Sequence, residues 1–138
     1  MFRTSLAACV AVVMIAPLPA FSQGIAMRES FDIPVYPMDA NTFEVVEKDG
    51  AGGTQLWCAA GIYARDTLGQ RDGSLYILQG RGDSRAEPGR KSVIFTTQAV
   101  ENAFSSVTQG VRRAGQVFTV SHAYALCRDT PRLRILVR

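Results

Sequence analysis

The chain has one histidine, His122, one tryptophan, Trp57, three cysteines and two lysines in 138 residues. One imidazole rules out a histidine-rich metal centre. There is no Cys-x-x-Cys redox pair and no Cys-x-x-Cys-His haem attachment. Neither His-Glu-x-x-His nor Gly-x-Ser-x-Gly occurs. Gly52-Gly53 lacks the lysine and hydroxyl residue of a phosphate loop and reads as part of a turn. No apolar run approaches the roughly 20 residues that a membrane-spanning helix needs. No cofactor and no metal are therefore expected.

What is present is an ordinary core-forming composition. Hydrophobic residues make up 47% and charged residues 20%, with a net charge of +3. That excludes wholesale disorder and lacks the broad basic patch of a nucleic-acid binder. Residues 1–22 read as a cleaved signal peptide. Arg3 supplies the positive start, Leu6–Ile15 the short apolar stretch, and Ala20-Phe21-Ser22 the small residues before a cut at Gln23. Leu6-Ala7-Ala8-Cys9 has the letters of a lipoprotein box, but most of the apolar stretch follows Cys9, which is the wrong order for lipidation. Export to the periplasm or exterior, with no membrane span after cleavage, is the expectation.

Past the leader, residues 23–41 read as an extended arm, since Pro34 and Pro37 oppose both a helix and a central strand. Residues 42–138 read as one domain. Thr42–Glu47 forms a strand. Thr54–Leu68 forms the main helix, capped by Thr54 and ended by Gly69. Its apolar stripe of Leu56, Trp57, Ala60, Tyr63, Ala64 and Leu68 leaves Cys58 on the flank. Ser74–Gln79 and Lys91–Thr97 form a hairpin whose long tip, Gly80–Arg90, is polar and mobile. A short helix is expected near 98–107. Val117–Cys127 alternates with period two, placing His122 on a buried face with Phe118, Val120, Tyr124 and Leu126, and Cys127 on the small-residue face. Leu133–Val137 pairs antiparallel with it. The fold class is α+β, one main helix on a mostly antiparallel sheet of about five strands.

Removal of Cys9 with the leader leaves Cys58 and Cys127, and in an oxidising space two thiols form one disulfide. His122 and Cys127 are separated by an odd number of strand positions, so they cannot share an ion. Arg81, Arg85, Arg90, Lys91, Arg112 and Arg113 form the candidate anion-binding surface, because residues 23–80 hold 4 cations and 8 anions and residues 81–138 hold 10 and 4. Arg81-Gly82-Asp83 matches the integrin-binding tripeptide, and so short a match arises by chance.

Trp57-Cys58-Ala59-Ala60-Gly61 with Tyr63, then Leu75-Tyr76-Ile77 and Gly80-Arg81-Gly82, resembles small exported proteins of Gram-negative bacteria that carry no assigned function. The resemblance covers about residues 54–127 and implies a similar fold and an exported location, with no activity and no site attached. Three functions follow in order of expectation: a small non-catalytic exported protein that acts by binding, an anion-binding module for envelope polymers or lipid, and a hydrolase built on His122. The oligomeric state and the partner are left open.

Overall fold

The computed structural model describes residues 30–138; the expected signal peptide, its Gln23 boundary and the first part of the arm lie outside the described residues. Among the described residues the fold is α+β, with a single mixed sheet of seven strands and two short helices. The strands are β1 (Phe31–Pro37), β2 (Thr42–Val46), β3 (Ser74–Asp83), β4 (Lys91–Thr96), β5 (Phe104–Ser105), β6 (Gln116–Thr119) and β7 (Leu133–Val137). The helices are α1 (Gly53–Ile62) and α2 (Val120–Ala125). Across the sheet the order is β5-β6-β3-β4-β2-β1-β7. β1/β7 and β5/β6 are parallel and the other pairings antiparallel.

The central strands and α1 enclose the core. Trp57 packs edge-on to Phe95 at 5.0 Å between ring centroids, and Phe43 meets Tyr63 at 4.4 Å. Alternation along β2 turns Phe43 and Val45 toward α1 and Glu44 toward the opposite face. That face is also covered: Glu44 is only 2% exposed, and the segment after β3 folds back over it.

Several sequence expectations need correction. The arm expected over 23–41 is, from Phe31 to Pro37, an interior strand. Phe31–Val35 pair with β7 and Val35–Pro37 with β2. The strand changes neighbours at Val35, so neither proline lies in a stretch paired on both sides, and the missing amide hydrogens break no continuous ladder. The sheet has seven strands rather than about five, and β7 runs parallel to β1 at the sheet edge instead of beside residues 117–127.

The largest difference concerns Val117–Cys127. Only Gln116–Thr119 is strand; Val120–Ala125 is α2, and a 3-10 turn follows over Leu126–Asp129. Thr119 ends the strand and starts the helix, because its hydroxyl accepts the His122 amide at 3.1 Å. Val120, Ala123 and Leu126 are buried at helical spacing. The same letters satisfy both periods, and the cap decides between them. His122 is consequently exposed rather than buried. The helix expected near 98–107 is absent. Asn102 takes a left-handed φ of 56°, which interrupts a helical path, and Phe104 enters β5.

The main helix also differs in detail. Its N-cap is Gly52, whose amide donates to Gln55 Oε1 at 2.9 Å, rather than Thr54. From Tyr63 to Thr67 it widens into a π turn. Gly69, with φ 71°, ends it as expected.

Candidate anion-binding cleft

Two glycines seat the loop that forms the cleft. A Cβ on Gly53, at the start of α1, would collide with the Gln109 carbonyl, and one on Gly80, in β3, with the Arg112 carbonyl. Residues 106–113 thus lie backbone-to-backbone on α1 and β3. Arg81 N donates to Val111 O at 2.7 Å, Trp57 Nε1 to Gly110 O at 3.3 Å, and Gln116 Nε2 to Thr108 O at 2.7 Å. Between this loop and the first turn of α1 lies a concavity of about 400 Å³. Leu56, Val111 and Phe104 supply apolar wall, and Arg81, Arg112 and Arg113 supply charge.

The six basic residues singled out from sequence do not form one surface. Arg81, Arg112 and Arg113 share the cleft. Arg81 is committed to Glu47 through a two-pronged contact, Nε to Oε2 at 2.6 Å and Nη2 to Oε1 at 3.0 Å. That carboxylate holds the Arg81 guanidinium even more firmly protonated than usual. Arg113 stacks its guanidinium on Phe104 at 4.6 Å. Among the described residues neither Arg112 nor Arg113 forms an ion pair.

Arg85, Arg90 and Lys91 belong instead to the hairpin tip, which pairs internally. Arg85 Nη2 donates to Gln79 Oε1 at 2.9 Å, Arg90 meets Glu87 at 3.1 Å and Lys91 meets Asp83 at 2.6 Å. The Lys91 ammonium holds the Asp83 carboxyl below the usual range. Arg81 and Asp83 of the tripeptide are therefore both engaged within the fold. The tip is not the free loop expected from its composition. Ser84 Oγ and Arg85 N donate to Glu44 Oε1 at 2.6 and 2.9 Å, and the Tyr36 hydroxyl donates to Glu87 at 2.7 Å. The bond to Glu87 raises the Tyr36 hydroxyl above its ordinary value.

Cys58 and Cys127 are joined as a disulfide, with Cα atoms 5.0 Å apart. The bridge ties α1 to the 3-10 turn, not to a strand, and α2 and that turn cross the helix flank on which Cys58 lies, burying it fully. His122 stands edge-on to Phe118 at 4.5 Å. Among the described residues no serine hydroxyl or carboxylate is hydrogen-bonded to its ring, no three metal-ligating side chains converge, and no helix is long and apolar enough to cross a membrane.

Sequence reasoning missed Glu47 as the partner of Arg81 and missed the seating of residues 106–113. The available signal was glycine placement, at Gly53, Gly80 and Gly110, where close backbone approach is possible. No family model, no curated protein and no solved structure matches the chain.

Proposed function

We propose that the protein is exported to the periplasm or exterior and acts by binding, without chemistry of its own, its cleft holding the phosphate or carboxylate group of an envelope polymer or lipid. One observation carries this reading: Arg112 and Arg113 stand over an apolar-walled concavity without a carboxylate partner among the described residues. A guanidinium presents a planar fork of donors suited to such oxygens, and the adjoining apolar wall of Leu56 and Val111 accommodates the body that carries them. Arg81, neutralised by Glu47, orients the wall and adds little net charge. The export half of the reading draws on the leader, on the likeness to small exported Gram-negative proteins, and on a disulfide of the kind an oxidising space favours.

The test is retention on anionic vesicles against neutral ones of the same chain length. Binding through two exposed cations weakens as salt shortens the screening length to about 8–10 Å. Retention at low salt with release near physiological salt supports the reading. Equal retention on neutral vesicles contradicts it.

A further inference from the structure

We infer that a second concavity, between the π turn and α2, is an independent binding site for a small ligand carrying two or more phosphate or carboxylate groups. It encloses about 560 Å³ and is lined by Arg65, Arg71 and Arg128, with Ser121 and Tyr124 from α2. None of these three arginines belongs to the cleft described above.

The site is built by local geometry. A Cβ on Gly61 would stand 2.6 Å from Tyr124 N, so only glycine lets α2 lie directly on α1 there. One residue beyond Ile62 the helix widens, and Leu68 N reaches back five residues to Tyr63 O at 3.0 Å. Such π turns are rare and concentrate at functional sites. This one sets the Arg65 guanidinium 4.1 Å above the Tyr124 ring; its carboxylate neighbour Asp66 is 3.7 Å away. Arg71 arrives from the turn after Gly69, and Ser121 Oγ donates to the Arg71 carbonyl at 3.4 Å, joining that turn to α2. Arg128 arrives from the 3-10 turn, next to Cys127, which the disulfide holds against α1.

Three arginines from three segments thus line one concavity, whose described lining holds one carboxylate, Asp72, while Asp66 stands beside Arg65. Among the described residues Arg71 and Arg128 form no ion pair. An anion entering a space lined by three cations is drawn to them by opposite charge. Each fork receives two oxygens, and the void exceeds the size of one phosphate, which points to a ligand with at least two anionic groups.

The test titrates inorganic pyrophosphate and, separately, citrate into the purified full chain, read by amide NMR shifts. The expected result is saturable shifts at Arg71 and Ser121–Arg128. Arg71→Ala with Arg128→Ala should weaken binding about tenfold or more, as loss of charge-assisted bonds requires. Ser121→Glu, which places a negative charge in the lining, should do the same without removing either arginine. Pyrophosphate alone saturating would assign phosphate chemistry, and both saturating the shared anionic chemistry. Arg112→Glu with Arg113→Glu should leave this site unaffected, so failure of the first cleft and failure of this one are separable. No saturable shift by about 10 mM of either anion, a range corresponding to negligible affinity, or unchanged binding in both lining variants, would overturn the inference.

Discussion

The Ser84 hydroxyl donates to the Glu44 carboxylate at 2.6 Å, across 40 residues of sequence. The contact converts a polar, glycine-rich tip into a cover for the outer face of the sheet. Burial pushes Glu44 up, but the hydroxyls of Ser84 and Ser92 and the amides of Arg85 and Ala86 outweigh it and hold the carboxyl below its ordinary 4.5. A carboxyl depressed in the folded state contributes stability that is complete above its unfolded value and is lost as pH falls through the lower folded value. The protection factors of the Arg85 and Glu87 amides, which divide out the pH dependence of intrinsic exchange, should therefore be full above pH 4.5 and fall on acidification below it. Glu44→Gln should accelerate exchange already at neutral pH and cost about 2 kcal/mol, the scale of hydrogen bonds to a charged group. Unchanged protection in that variant would show that the tip is held by something else.

The disulfide spans 69 residues, a loop whose closure contributes about 4 kcal/mol on the chain-entropy account. Replacing both cysteines with alanine should lower stability by about 2–5 kcal/mol in denaturant titration. Exchange protection should fall first in α2 and the 3-10 turn, which the bridge fastens to α1. Uniform loss across the sheet with α2 spared would contradict the assigned role.

Gly53→Ala and Gly80→Ala each place a methyl against a carbonyl of the loop seated on them. Both should displace residues 106–113 and weaken retention on anionic vesicles while sparing the hairpin tip. Gly89→Ala has nothing within 4 Å of the added methyl, and its φ of 82° makes strain its principal effect. It should cost about 1 kcal/mol and leave vesicle retention intact. Vesicle flotation of the three variants in parallel reads the difference.

Export predicts that the protein recovered from the periplasm or medium begins near Gln23. Amino-terminal sequencing decides this, and recovery of the form beginning with Met1 in the cytoplasm alone would contradict it.

Much of the sheet was legible because its strands are short runs rich in β-branched and aromatic residues between flanking turns. Thr42–Val46, Lys91–Thr96 and Leu133–Val137 fall where the apolar pattern puts them, and Gly69 marks the end of the main helix through its positive φ. β1 was hidden by its prolines, whose effect depends on which neighbour pairs at each position. α2 was hidden because Val120–Cys127 satisfies periods of two and of 3.6 alike; only the Thr119 cap, a local bond, separates them. The cysteine pairing survived that misreading because the even thiol count supports it as well, whereas the strand parity that set Cys127 facing the helix does not hold in the 3-10 turn. Arg112 and Arg113 were legible as basic residues. That Arg81 is neutralised, and that Arg85, Arg90 and Lys91 pair within the hairpin, depends on contacts with Glu47, Gln79, Glu87 and Asp83 that composition does not place.

Two charge reversals, compared on the same anionic vesicles at low salt, test the binding account most directly. Arg112→Glu with Arg113→Glu changes the net charge as much as Arg85→Glu with Arg90→Glu, so non-specific electrostatics affects both variants alike. The account predicts that the first pair abolishes retention and that the second leaves most of it, with circular dichroism showing both folded. Equal loss in the two, or greater loss in the second, would contradict a cleft built on Arg112 and Arg113.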